Sequence, residues 1–263
     1  MVFFSGLIWI RFRVATLVVS FFLIGLNGVC QDTVTLNKDQ TNDKVSWGLS
    51  TDVNSKFLWR GISVNDGLVL QPDLWASYKN FTAGMWCNAT IFDRNHDPKD
   101  LELDPYFGYS WSIGNLQIEH SVMVYYCIGE QVAPTTAELF LGVTYPIGDF
   151  AINTIIAADF VAYFGSLYFE HGLFYEKQLN DKFTLGSSAV FGWGNGKFND
   201  SYETGTTKTA LNLFSLNAEL TYNPKGIIYF KPHFQIGRTL DSEISSYLSK
   251  YPWFCGLLIG FEL

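Results

Sequence analysis

Charge is scarce in this chain. Only 16% of its residues are charged, where a soluble domain usually carries about 25%. Basic residues are the rarer kind, 17 Lys and Arg against 25 Asp and Glu. An acidic chain with no basic patch is a poor partner for nucleic acid. Cysteine is also rare. Cys30, Cys87, Cys127 and Cys255 are widely spaced with no CxxC pair, which excludes a disulfide framework and a zinc ribbon. Long apolar runs are missing too. Beyond the N-terminus nothing approaches the ~18 apolar residues of a membrane helix. Yet the chain is 48% hydrophobic and 17% aromatic. Apolar residues that are abundant but never contiguous must alternate with polar ones, which is the pattern of strands.

The one apolar run is at the start. Arg11 and Arg13 precede residues 14–26, and Asn27-Gly28-Val29-Cys30 leads into polar Gln31-Asp32. A basic region, an apolar core and small exit residues describe a secretory signal peptide cut near Cys30. A lipoprotein signal with Cys30 as the lipidated residue is the alternative, although Val29 is bulky for that processing. Removing residues 1–30 takes away two arginines and no acid, leaving 15 basic residues against 25 acidic ones, a net charge of −10. The organisation expected is a signal peptide (1–30), a periplasmic lead-in (31–44) and one barrel domain (45–263).

From residue 45 the chain divides into segments of about ten residues with period-2 alternation. Twelve are expected, at 45–60, 68–79, 81–92, 101–111, 116–127, 136–146, 150–161, 166–178, 183–193, 209–222, 227–239 and 253–263. In the last, Trp253, Cys255, Leu257, Ile259 and Phe261 share one face, opposite Gly256, Gly260 and Glu262. Every second connection is short: Lys79-Asn80, 112–115, 146–149, 179–182 and 223–226. Most of the others are longer, at 93–100, 128–135, 194–208 and 241–252, while 62–67 and 162–165 are short. Short turns at one end and long loops at the other fit an antiparallel transmembrane barrel with an even strand count. Tyr78, Phe81, Tyr109, Trp111, Tyr145, Phe150, Tyr175, Phe183 and Tyr222 flank the short turns, as an interfacial girdle would. A soluble β-sandwich with aromatic core edges is the competing fold, and the signal peptide, the turn asymmetry and the aromatic placement together favour the barrel. The fold class expected is all-β, a single antiparallel transmembrane barrel in the bacterial outer membrane. Its partners would be outer-membrane lipid, the barrel assembly machinery and small solutes. The long loop 194–208 is expected to be external and mobile.

Near the first hairpin stand Ser55-Lys56-Phe57-Leu58-Trp59-Arg60-Gly61-Ile62-Ser63, then Gly67 and Gln71, and later Gly84-Met85-Trp86-Cys87-Asn88. These residues resemble the TorF-type porin family, with its aromatic-Arg-Gly-x-Ser run and its glycine-x-tryptophan third strand. The match covers about residues 46–92. The resemblance implies an outer-membrane barrel of porin type. The chain departs from many such barrels in closing on Phe261-Glu262-Leu263, without a terminal aromatic residue.

Turning the less apolar face of each strand inward fills the lumen with acids. The candidate pore-lining residues are Lys56, Arg60, Asp73, Glu102, Asp104, Glu119, Glu138, Glu170, Glu219 and Lys231, joined by Asp52, Asp159, Glu176 and Glu262, with His233 nearby. An acid-lined aqueous pore concentrates cations. The function expected is passive diffusion of small solutes with a modest cation preference. Acids paired with the few bases would instead make a closed structural or interaction barrel. Arg60 would either bind anionic groups at a constriction or pair with a lumen carboxylate. A first hairpin centred on Val64-Asn65 would set Lys56 opposite Asp73 and Leu58 opposite Gln71, about 5 Å apart.

A lipid-modifying enzyme on the outer wall is the third reading. It needs a nucleophile and a base in contact, and His120-Ser121 and His171 with Ser166 lie on opposite strand faces. No catalytic residue and no cofactor is implied. His96 with Asp93, Asp97 and Asp100 has the residue types of a divalent-ion site and equally those of a solvated loop.

Overall fold

A strand with an apolar row on one face and a polar row on the other needs a different medium on each side. Twelve such strands here meet the requirement by closing on themselves. The structure is a computed structural model that describes residues 44–94, 101–129 and 133–263. The expected leader, and the lead-in apart from Lys44, lie outside these residues, as do His96, Asp97 and Asp100 of the candidate ion site.

In chain order the elements are β1 (Val45–Asn54), β2 (Phe57–Trp59), β3 (Ile62–Asn65), β4 (Val69–Tyr78), β5 (Phe81–Thr90), β6 (Leu101–Ile113) and β7 (Leu116–Ile128). They continue with β8 (Thr136–Ile147), β9 (Phe150–Asp159), β10 (Leu167–Asn180), β11 (Phe183–Gly194), a short helix α1 (Gly196–Ser201) and β12 (Ala210–Tyr222). The last are β13 (Ile228–Thr239), a second short helix α2 (Ser242–Tyr247) and β14 (Trp253–Glu262). Strand β1 and the eleven strands β4–β14 form a closed antiparallel barrel, with β1 hydrogen-bonded to both β4 and β14. Closure removes every free edge, so each ladder group is paired within the sheet. No helix among the described residues is long and apolar enough to cross a membrane.

The outer wall carries the apolar row. Leu49, Leu74, Leu139, Leu173, Leu216 and Leu257 are exposed on strands spread around the ring. Cys87 and Cys255 are free thiols on this wall. At the short-turn end the girdle residues meet in cross-strand pairs. Phe81 packs on Tyr109 at 5.1 Å, Phe150 on Tyr175 at 4.9 Å and Phe183 on Tyr222 at 4.8 Å between ring centroids. Gly114 and Gly148 sit in two of the short turns at φ +60 and +65, where a side chain would strain the left-handed backbone. Inside, large rings lie over glycines of the neighbouring strand. A Cβ on Gly84 would fall 2.3 Å from the Tyr106 ring, and one on Gly260 2.1 Å from the Tyr229 ring.

Eleven strands lie close to their expected places, and the first does not. Instead of running to residue 60, β1 stops at Asn54, and its register with β4 sets Asp52 opposite Gln71 and Ser50 opposite Asp73. Lys56 therefore does not face Asp73; it binds Asp66 at 2.7 Å. Leu58 is likewise not opposite Gln71 but pairs with Ser63. The physical cause is the run Phe57-Leu58-Trp59, which breaks alternation. A wall strand would have to turn one of three consecutive apolar residues toward the polar lumen while the others faced lipid. The chain instead folds inward, where Phe57 and Leu58 are 7% and 3% exposed. Residues 62–67, expected as a short external loop, belong to the same inward hairpin.

Loop 194–208 carries a short helix and a network of side-chain hydrogen bonds. Asn195 caps α1 by accepting from the Phe198 amide at 2.7 Å. Asn199, fully buried, donates to the carbonyls of Gly194 and Lys208 and accepts from Thr204 and Asn212.

Candidate functional site

The barrel encloses a cavity of about 1280 Å³ that reaches from the short-turn end to the long loops. Among the described residues its wall carries nine acids and two bases. The acids are Asp52, Asp73, Glu102, Asp104, Glu119, Glu170, Glu176, Glu219 and Glu262; the bases are Arg60 and Lys231. His233 approaches Asp52 at 3.0 Å, Lys231 stands 3.5 Å from Glu219, and the Tyr106 hydroxyl donates to Asp73 at 3.2 Å. A row of amides crosses the same wall, with Asn54 donating to Gln71 at 2.8 Å and Gln71 to Asn88 at 3.0 Å.

Of the ten candidate residues, Arg60, Asp73, Glu102, Asp104, Glu119, Glu170, Glu219 and Lys231 border this cavity. The other two are held elsewhere. Lys56 stays at the loop end with Asp66, where the hydrogen bond from Lys56 holds the Asp66 carboxyl below its usual range. Glu138 points inward but is 1% exposed, covered by Arg60. Asp159 is not a free lumen acid either. It accepts from the amides of Val161 and Tyr163 at 2.9 Å and from the Thr136 hydroxyl, and so builds the tight turn after β9.

The inward hairpin is the main feature of the lumen. Trp59 pairs with Ile62 across a two-residue tip, Arg60-Gly61, with φ +51 and +84. Positive φ at both central residues is the type I′ geometry of tight hairpins. From this tip Arg60 reaches Glu138 with both fork nitrogens, Nη1 to Oε1 at 2.8 Å and Nη2 to Oε2 at 2.7 Å. The Tyr125 hydroxyl donates to the same carboxylate at 2.9 Å. The guanidinium lies 4.3 Å from the Trp59 ring centroid, 4.7 Å from that of Tyr168 and 5.6 Å from that of Phe198.

In the ring of twelve strands, β8 stands four places from β4 and five from β1. The Arg60–Glu138 bond thus crosses the lumen from the seam between β1 and β4 to a distant part of the wall. Gly61 meets β12 as well, since a Cβ there would lie 3.3 Å from Leu213. Helix α1 closes in from above through Phe198, and Tyr202 at its end packs on Trp59 with centroids 4.8 Å apart. The hairpin is a crossbar in the lumen, and one buried ion pair holds its far end. Breaking such a pair by removing one partner costs about 3–5 kcal/mol, because the other charge stays buried.

Of the two roles expected for Arg60, pairing with a carboxylate is the one present. Sequence reading missed the aromatic part of this site. Parity puts Tyr125 on the face of Glu119 and Tyr168 on the face of Glu170, so two large inward rings near the long-loop end were a usable signal. Phe198, on a loop helix, had none. On the outer wall His171 bonds Thr154 of the neighbouring strand at 2.7 Å and has no carboxylate partner among the described residues.

A closed antiparallel barrel with an apolar outer wall and a polar, acid-rich interior is the architecture of a transmembrane β-barrel. Among solved structures the chain is similar in fold to the KdgM porin, with a TM-score of 0.53, 10% identity, and coverage of 81% of this chain and 98% of that one. The same porin in complex with disordered oligogalacturonate gives a TM-score of 0.51 at 8% identity, covering 82% of this chain and 98% of that one. The NanC porin gives 0.53 at 11% identity, covering 82% and 100%. An outer membrane channel from Pseudomonas putida F1 gives 0.51 at 11%, covering 88% and 99%. No protein-family model matches the chain, and no curated protein matches it.

Proposed function

We propose that this chain is an outer-membrane channel for passive diffusion of small solutes, with a preference for cations. The carrying observation is the cavity wall, nine acids against two bases, with one of those bases, Arg60, already neutralised by Glu138. A low-dielectric wall focuses such a field into the aqueous space, raising the local concentration of cations and repelling anions. The similarity to the KdgM porin supports a channel, while the chemistry of the lumen argues against the same cargo. Oligogalacturonate carries a carboxylate on each sugar, and this wall would repel it.

The test is the reversal potential of refolded protein in a planar bilayer under a KCl gradient. The parent is expected to prefer potassium. Asp73→Lys and Glu119→Lys should move the potential toward chloride, and Lys56→Glu should leave it almost unchanged because Lys56 lies with Asp66 outside the cavity. Chloride preference in the parent would overturn the proposed selectivity.

The crossbar favours a second reading, a barrel shut to solutes that acts through its loops. Replacing residues 57–65 by a flexible linker separates the two. Current in the parent that grows in the linker form supports a channel, and a silent parent, whether or not the linker form conducts, supports the closed barrel.

A further inference from the structure

The pocket that receives Arg60 has the composition of a receptor for a planar cation. Glu138 presents both carboxylate oxygens to the two ends of a guanidinium fork, and the Tyr125 hydroxyl fixes the carboxylate from the side. The rings of Trp59 and Tyr168 lie 4.3 and 4.7 Å from the cationic carbon. Carboxylate fork and aromatic faces together are how proteins bind guanidinium and related organic cations.

The chain fills this pocket with its own side chain, carried on a weak element. The hairpin has only three paired positions and an irregular register. Its tip residue Arg60 holds a left-handed backbone at φ +51, unfavourable for a non-glycine residue. The guanidinium is the polar tie between the crossbar and the far wall, beside the packing of Trp59 and Ile62 on the cluster around Tyr168 and Phe198. Withdrawing it alone would leave Glu138 buried and unpaired. Exchanging it for another planar cation would not, since the carboxylate has a bidentate partner before and after. The acid-lined cavity would concentrate such cations next to the pocket.

We propose that the Glu138–Tyr125–Tyr168 pocket is a recognition site for guanidinium-bearing and similar planar organic cations, which Arg60 occupies as an internal ligand and a solute takes by exchange, freeing the crossbar. This rests on the channel reading for its consequence but not for the binding itself.

The experiment uses refolded full-length barrel carrying Arg60→Ala, with Arg60→Met as a second variant that keeps the stem between the rings. Guanidinium or methylguanidinium chloride is added at millimolar concentration, with sodium and tetramethylammonium chloride as controls. Both variants should conduct better than the parent. Guanidinium should reduce their current and raise their thermal unfolding midpoint, and the controls should do neither. Adding Glu138→Gln should weaken both effects on the order of tenfold or more. A midpoint that does not respond to guanidinium in either variant overturns the site. A midpoint that responds in barrels that never conduct retains the site and overturns the channel reading instead.

Discussion

A single carboxylate decides how the lumen is divided. Glu138 lies at 1% exposure beneath a guanidinium and a phenol. Truncating one side of a buried, bidentate pair costs more than the pair contributes. Glu138→Gln should lower the unfolding free energy by about 3 kcal/mol, read from urea titration of the refolded barrel. Arg60→Met combined with Glu138→Leu should recover most of that loss, because neither charge is then left behind. Equal losses from the single and the double change would show that the pair is not coupled. At the foot of the same hairpin Asp66 titrates below its usual range because it accepts from Lys56. A depressed carboxylate stabilises above its unfolded pKa and loses that stabilisation as pH falls through the folded value. Cleavage of residues 55–68 by pepsin should therefore rise only below about pH 4, and Asp66→Asn should remove that dependence.

The inward hairpin and the loop helix are inserts on a barrel that is complete without them. Ser55 marks where the chain leaves the wall, its amide donating to the Cys255 carbonyl at 2.9 Å and its hydroxyl accepting from the Cys255 amide at 3.1 Å. The ladder from β14 through β1 to β4 is finished by that point. Deleting residues 57–65 should leave strand-dominated far-ultraviolet dichroism unchanged while conductance rises. Loss of folded barrel would mean that the hairpin is needed for closure. Helix α1 depends on Asn199, which is buried with four hydrogen-bond partners. Asn199→Ala strands those groups at about 1–3 kcal/mol and should expose residues 194–208 to protease. Across the mouth, Lys208 binds Glu243 at 2.9 Å and Asp241 at 3.4 Å, which ties that loop to α2. These groups are largely solvated, so salt should weaken this tie well before it loosens Asn199.

At the scale of the whole barrel the apolar wall and the closed hydrogen-bond ring act together. A charge on the outer face at mid-height costs about 2–4 kcal/mol in a bilayer. Leu173→Arg or Leu216→Arg should lower folding yield into vesicles and the temperature at which heat-modified gel migration is lost. The same change at Tyr78 or Tyr145, next to the short turns, should cost much less. Equal penalties at both heights would contradict the placement of the wall in lipid.

Much of this architecture was legible from period and spacing alone. Side chains alternate with a period of two, so Leu216 against Asn217 or Ile118 against Glu119 states which medium each face meets. The alternation of short and long connections then sets strand count and parity. Tyr109, Phe150 and Phe183 mark the interface because amphipathic rings have one preferred depth. The course of residues 55–66 was not legible in that way. A strand that fails to alternate only says that it does not belong in the wall; where it goes depends on what waits across the lumen. Arg60 and Glu138 are 78 positions apart, and only barrel closure places β8 across the lumen from the first hairpin. The same closure brings the loop that carries Phe198 to the pocket. Local pattern selects a face, whereas a contact across the barrel depends on strand number and register together, and those exist only once the ring has closed.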